Sequence, residues 1–347
     1  MSRPTPWNDF AFTVAMPHLA PGNKLSEVEL LKVLGSHQWE AIARVLGRPS
    51  QAITSELNER LYSSWIDVEL KFAENRGPDH FGEGAQIRVK NRVGVYAKRF
   101  VEGFFVLGEE AIPEDVLQAT KTRADLRALD STWAYMTNAF IAPVGGNTRL
   151  KVFKPAGIET LDLPEVDHTP EGIADQARVQ ATGQIEALGE SDPGIAVPIR
   201  DPHPVTYALV PESDVNGAGL VYFARYLAIM NYGERVFLSD RLERPLSNPF
   251  NTCLSTEHRR IYYFANAAPT DTVEVAVSAR VIPPEGSPAP VAGSRTRTAM
   301  RWVFRIDLVR GSDKVLMASS LVRKALNVPR DAKAVLLEAD RFLAGFR

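Results

Sequence analysis

The sequence predicts an α+β protein made of two copies of one unit, in each of which a long helix is wrapped by an antiparallel sheet. A chain of 347 residues is longer than one hydrophobic core usually serves, and its 45% hydrophobic content suffices for two. Each half also reads as strand, turn, helix and then further strands, and a stretch rich in Pro, Asp, Glu and Gly separates the halves.

The first half opens with a strand at Phe10–Met16, a turn at Pro17–Lys24 and a helix from Ser26 to Leu46. Ser26 with Glu29 forms a capping box, and Val28, Leu31, Leu34, Ile42 and Leu46 recur at helical spacing. Stretches that alternate and favour β-branched or aromatic residues follow at Leu61–Phe72, Ala85–Asn91, Val93–Leu107 and Thr132–Ala142. The connector runs from Pro155 to Pro204 and holds a helix at Glu171–Ala187. The second half repeats the order: a strand at Thr206–Val210, a glycine-rich turn and a helix over Leu220–Leu238. Strands at Cys253–Asn266, Thr272–Val281, Thr296–Val309 and Val315–Arg323 come next, and a helix at Asp331–Phe342 ends the chain. The expected division is therefore a unit at 1–154, a connector at 155–203 and a second unit at 204–347. A shift of 194 residues lays Met16-Pro17 on Val210-Pro211, Gly22 on Asn216, Asn23 on Gly217, Leu30 on Ala224 and Glu40 on Glu234 without a gap.

One strand, a long helix and four strands that must wrap it is the order of the hot-dog fold, so the fused pair is expected to be a double hot-dog with one continuous sheet. The free amides and positive dipole end at the start of each helix can receive a developing oxyanion, which suits a thioester carbonyl.

Composition excludes several classes. A formal charge of −2 without a block of like charges argues against nucleic acid. The single cysteine, Cys253, and a polar start lacking a signal-peptide pattern point to the cytoplasm. No run of about eighteen apolar residues exists, so no membrane span is expected. No metal-ligand spacing or nucleotide-binding glycine loop occurs, so neither metal nor cofactor is expected, and coenzyme A enters only as part of a substrate.

The richest stretch runs Asp214-Val-Asn216-Gly217-Ala-Gly219-Leu-Val-Tyr222-Phe223-Ala-Arg-Tyr226. It resembles the Asp-x-x-Gly turn, helix and Tyr-x-x-x-Tyr spacing of hot-dog acyl-CoA thioesterases. Gly217 and Gly219 would let backbone approach a ligand, and Asp214 could serve as base or water-positioning group; equally, Asp214 and Asn216 could only close the turn while Tyr222, Phe223 and Tyr226 fill the core.

In the first half, Met16-Pro-His18-Leu-Ala-Pro-Gly22-Asn23-Lys-Leu-Ser26-Glu and Gly35-Ser-His37-Gln-Trp39-Glu40 resemble the bifunctional acyltransferase/decarboxylase family first known from leinamycin-type polyketide pathways. That resemblance implies transfer of a methylmalonyl-type group from coenzyme A to a tyrosine oxygen, decarboxylation, and delivery to an acyl carrier protein. It places the nucleophile on the strand after the first helix, here Tyr62, with Tyr96 and Tyr135 as weaker candidates. A phenol ionises only near pH 10, so such a nucleophile needs help, and the start of the Ser26 helix with His18 beside it is the expected source. Gly22 and Asn23 would then line the substrate, and His37 reads as packing.

Arg295, Arg297, Arg301 and Arg305 share one strand face and could meet coenzyme A phosphates or an acidic carrier, although a solvated outer face is the commoner meaning of such a row. The rival readings are a thioesterase directed by Asp214, a dehydratase pairing His18 with Asp214 or Glu234, and a non-catalytic acyl-carrier-binding module. An exposed sheet edge also suggests a homodimer by fold-level analogy.

Overall fold

The computed structural model describes residues 7–74, 76–144, 148–188, 195–197, 204–243, 245–282, 296–329 and 332–344. In the first unit, β1 (Asn8–Thr13) leads through the hairpin β2 (Leu19–Ala20) and β3 (Lys24–Leu25) into α1 (Glu27–Val45). Then follow β4 (Tyr62–Lys71), β5 (Gln86–Tyr96), β6 (Phe100–Gly108), short helices α2 (Glu114–Ala119) and α3 (Arg123–Arg127), β7 (Thr132–Pro143) and β8 (Leu150–Val152). The connector contains α4 (Glu171–Thr182) and β9 (Ile195–Val197). The second unit comprises β10 (Val205–Ala208), α5 (Pro211–Asp214), α6 (Phe223–Leu242), α7 (Asn248–Cys253), β11 (Leu254–Tyr263), β12 (Thr272–Ile282), β13 (Thr296–Arg310), β14 (Leu316–Pro329) and α8 (Lys333–Ala344).

The strands form one 12-stranded sheet ordered β1-β5-β6-β7-β4-β11-β14-β13-β12-β10, with β8 beside β7 and β9 beside β12. All named pairs are antiparallel, and the units join where β4 meets β11 through residues 67–71 and 258–262. Ser26 caps α1, accepting from the Glu29 amide, but only half of the expected capping box forms: the Glu29 carboxylate binds Lys32 and the Ser26 amide donates to His18 O. β5 runs on to Tyr96, past the expected end at Asn91, and β6 begins at Phe100 rather than Val93. Ala97 and Lys98, both at positive φ, form with Arg99 the three-residue turn between the paired Tyr96 and Phe100, which their side chains do not advertise.

Both helices press onto the same face of the sheet. Leu30, Leu31 and Leu34 of α1 join Ala224, Leu227 and Met230 of α6 in a single core that crosses the seam. The opposite face is covered at its centre by the connector. There Ile173 of α4 packs with Ile66, and a Cβ on Gly172 would lie 1.9 Å from Asp67 Oδ1, so the helix sits on the sheet as closely as glycine allows. Beneath it Arg123 joins Asp67 at 3.1 Å and Glu69, while Arg260 and His258 reach Glu69 at 2.9 and 2.7 Å. Burial pushes the Asp67 carboxyl up to about 6 despite Arg123. Burial works the same way on Glu69, but Arg123, His258 and Arg260 hold its carboxyl well below the usual range.

Equivalent backbone bonds fix the internal repeat. Ser26 N donates to His18 O, and Tyr222 N donates to Asp214 O, both at 2.8 Å. Leu19 pairs with Leu25 as Val215 pairs with Val221. The helix-entry segments are therefore related by 196 residues, two more than the offset expected from sequence. This places Asn23 on Gly219, both at positive φ (53° and 73°), and Gln38 rather than Glu40 on Glu234.

Candidate active site

Each helix enters from its own unit's turn and points its first residues at the other unit's central strand, which makes two related seams. At the first, α1 begins beside β11. Glu27 accepts from Arg259 at 2.9 and 2.8 Å and from Asn231 Nδ2 at 3.1 Å, and Lys324 meets Glu234 at 2.8 Å. Burial opposes ionisation of Glu27, yet Arg259 and Lys324 lower its pKa to about 2. Above this cluster Lys24 reaches the carbonyls of Asn251, Thr252 and Leu254, tying the Gly22 turn to α7 and β11. Burial and the nearby Lys324 lower its pKa to about 8. Gly22, at φ +94°, lies so close to Thr252 that a Cβ there would be 3.0 Å from its carbonyl oxygen.

At the second seam, α6 begins beside β4. Phe223 stacks obliquely on Trp65 with centroids 4.4 Å apart, and a Cβ on Gly35 would come within 2.6 Å of the Phe223 ring. Position 35 is thus bare where its equivalent, Asn231, carries an amide. Tyr263 Oη donates to Phe223 O at 3.3 Å, and Val221 N donates to Asn266 Oδ1 at 2.9 Å. The turn leading into α6 lies against the β4 end: Ala218 and Leu220 share an apolar cluster with Tyr62 and Ile66. The Tyr62 hydroxyl has no hydrogen-bond partner among the described residues, and the Arg60 guanidinium stacks over its ring at 5.1 Å. Ser63 Oγ on the same strand is buried without a partner.

The two helix starts differ electrostatically. The first turn of α1 holds Glu27 and Glu29, and Ser26 occupies its third amide. That of α6 holds no acid, its N-cap Tyr222 provides no side-chain acceptor, and the amides of Phe223 and Ala224 meet none among the described residues. A positive helix end already neutralised by carboxylates is a poor oxyanion site, whereas the uncapped one at α6 keeps its potential.

Several sequence expectations are redistributed. Asp214 is fully buried and saturated: Val210 N and Tyr207 Oη reach one oxygen at 2.8 and 3.1 Å, and Arg225 Nε and Ser213 Oγ the other at 2.8 and 3.1 Å. Burial opposes its ionisation, but the Val210 amide and Arg225 hold its carboxyl below the usual range. The carboxylate is spent on building the turn. Asn216 acts likewise, its Oδ1 accepting from Ala218 N and Leu220 N. Gly219 is the left-handed residue, while Gly217 has open space where a Cβ would be and no positive φ.

His18 and Asp214 occupy equivalent places in the two units rather than facing each other across one site. His18 Nδ1 accepts from Ala15 N at 3.0 Å, and no carboxylate pairs with its ring among the described residues, so the His18–Asp214 or His18–Glu234 pair is not formed. Nor does His18 approach Tyr62: it belongs to the start of α1, whereas the strand carrying Tyr62 and Trp65 meets α1 at Gly35, eight residues or about 12 Å of helix further on. Tyr62 lies against Ala218 and Leu220 of the turn before α6, on the connector face with Ile66 and Ile173, whereas Trp65, three residues on, faces the helices and Phe223. His37 stacks on Phe10 at 3.5 Å, a packing role. Tyr135 Oη is committed to Glu102 and Tyr96 Oη to Thr169. Tyr222, half-buried beside Phe223, has its hydroxyl pKa raised by burial and by Glu29. Arg301 is tied to Glu257 and Arg305 to Asp307, which removes them as free anion contacts; Arg295 and the side chain of Arg297 lie outside the described residues. Among the described residues no His, Cys, Asp or Glu cluster forms a metal site, and no helix is long and apolar enough to cross a membrane.

Sequence reasoning missed Glu27, Asn231, Arg259 and Lys324. The available signal was charge inside an apolar run, as in His258-Arg-Arg-Ile-Tyr-Tyr263, which marks a buried ion network rather than a solvated face.

No family model and no curated protein matches the chain. Among solved structures it is similar to one described as an oleoyl thioesterase from Lactobacillus plantarum, with TM-score 0.54 and 10% identity over 94% of this chain and 98% of that one. It is similar also to the 12:0-ACP thioesterase from Umbellularia californica, with TM-score 0.52 and 10% identity over 92% and 93%. An acyl-ACP thioesterase from Bacteroides thetaiotaomicron aligns over 92% of this chain and 97% of that one at 14% identity and TM-score 0.48. At such identities the likeness establishes architecture alone. The chain is a double hot-dog protein, two α+β units fused through one antiparallel sheet.

Proposed function

We propose that the protein cleaves an acyl thioester whose carbonyl is held at the start of α6, opposite the Tyr62 end of β4. The observation that carries this reading is the contrast between the helix starts: only α6 combines free first-turn amides with no acid in its first turn. The carbonyl oxygen gains negative charge as the thioester is attacked, and amides fixed in a dry site stabilise that charge without reorganising. Proteins of the same architecture named as acyl-ACP and oleoyl thioesterases support hydrolysis as the first reading, with coenzyme A or an acyl carrier protein as the thiol released.

A second reading rests on the unpartnered Tyr62 hydroxyl. Here Tyr62 Oη gives up its proton and attacks the thioester carbon, the C–S bond breaks, and the proton passes to the leaving thiolate. The acyl group then moves from tyrosine to the thiol of a carrier protein, and a malonyl-type group loses carbon dioxide to an enolate held at the same amides. This is the acyltransferase/decarboxylase chemistry of the leinamycin-type family. Incubation with acetyl-, malonyl-, methylmalonyl- and long-chain acyl-CoA, followed by thiol release and intact protein mass, separates the readings. Hydrolysis predicts free acid that survives Tyr62→Phe; transfer predicts an acyl mass increment that Tyr62→Phe abolishes. Absence of thiol release from every thioester overturns both and leaves a binding module.

A further inference from the structure

The end of the first unit's sheet that carries Tyr62 also gathers unpaired positive charge. Arg60 precedes β4, Arg99 closes the β5–β6 turn and hydrogen-bonds Phe140 through its carbonyl, and Arg149 and Lys151 belong to the β7–β8 hairpin, whose Val152 lies opposite Ile141 as Tyr62 does from the other side. All four are exposed and none has a carboxylate partner among the described residues. Their neighbours Lys98 and Lys154 both bind Glu159 at 2.6 Å, while the exposed Glu56 and Glu59 flank Leu57 and Arg60. The same end exposes Leu57 at 76%, Val144 at 46% and Val152 at 37%. On β13, by contrast, Arg301 and Arg305 are paired with Glu257 and Asp307.

We infer that this collar of Arg60, Arg99, Arg149 and Lys151 around Leu57, Val144 and Val152 is the docking surface for an acidic acyl carrier protein that delivers its thioester to the α6 seam. A free coenzyme A ester would use one or two of the cations and none of the apolar side chains. A small acidic protein uses both, its carboxylates meeting the rim and its apolar residues the centre. The chain as a whole carries a formal charge of −2, so attraction of an acidic partner depends on local concentration of charge at this end.

The inference rests on the thioester reading, but its test does not need turnover. The probe is a dye-labelled holo acyl carrier protein of a type II fatty acid synthase, titrated by fluorescence anisotropy. The wild type is expected to bind, with Kd rising about tenfold between low and moderate salt. Combined Arg99→Glu, Arg149→Glu and Lys151→Glu raises Kd at least 30-fold and flattens the salt response. Leu57→Ser with Val152→Ser raises Kd about fivefold and keeps the salt response, while Arg280→Glu, on the exposed face of the distant β12, leaves it unchanged. Failure of the wild type to bind, equal Kd values in wild type and triple variant, or binding of phosphatidylglycerol vesicles in place of the carrier overturns the inference. A carrier that docks at the collar while no thioester is cleaved overturns the catalytic reading alone.

Discussion

The two seams share one backbone and differ in almost every side chain. At the start of α1, Glu27, Arg259, Asn231, Lys324 and Glu234 form a buried network, and Lys24 ties the turn above it to the other unit. At the start of α6, the equivalent of Glu27 is Phe223 and the equivalent of Asn231 is Gly35, so an aromatic contact replaces the ion pair. Even the buried pair beneath each helix follows the contrast: Gln38 with Asn138 in the first unit, Glu234 with Lys324 in the second. A buried, charge-paired network holds two elements in one geometry, with Glu234 Oε2 and Arg259 Nη1 its atoms without a hydrogen-bond partner among the described residues. An uncapped helix start whose first amides meet no acceptor among the described residues has unused hydrogen-bonding capacity. Duplication thus supplied two similar frames, one committed to joining the units and the other free for chemistry.

Breaking the charged seam should have the largest effect. Glu27→Gln leaves the buried Arg259 without its counter-charge and is expected to cost about 3–5 kcal/mol in unfolding free energy by urea titration. The same seam should be acid-sensitive. The folded Glu27 pKa, about 2, lies below its unfolded value, so its contribution is present above pH 4.5 and is lost as pH falls toward 2. About 3 kcal/mol of wild-type stability should disappear across that window, and Glu27→Gln should lack this component. If the variant and the wild type lose stability in parallel, the ion pair is not what holds this seam.

The aromatic seam should respond to volume instead. Gly35→Ala drives a methyl group into Phe223 and Trp65 and is expected to cost about 1–3 kcal/mol, with little dependence on pH or salt. It should also impair thioester cleavage by moving the start of α6. The smallest stability change is expected for Tyr62→Phe, below about 0.5 kcal/mol, because the deleted hydroxyl has no partner among the described residues. A large loss of stability in this variant would give Tyr62 a structural role and weaken the transfer reading.

Much of the fold was readable because it depends on local pattern. The period of Val28, Leu31, Leu34 and Ile42 specifies a helix with one buried face, and Ser26 with Glu29 marks its start. The alternating strands and the repeated order then leave few ways to close two cores. The repeat offset was misread by two residues because the residues that make the equivalence do so with backbone groups: His18 O and Asp214 O receive the same hydrogen bond from unlike side chains.

The site was less legible. Asp214 has the composition of a catalytic acid, but its role depends on how many donors surround it, and those come from Val210, Tyr207, Ser213 and Arg225 only once the turn is closed. Tyr62 was expected beside the Ser26 helix, since chain order suggests that a strand meets the helix preceding it. The pairing of β4 with β11 sets it instead against Ala218 and Leu220 of the other unit's turn. The sequence by itself determined the elements, their order and their duplication, because hydrophobic period and capping act within a few residues of chain. Which carboxylate is spent, which helix end stays free and which face of the sheet Tyr62 takes were decided only by tertiary structure, because charge, solvation and hydrogen-bond supply are set by neighbours that are near in space and distant in sequence.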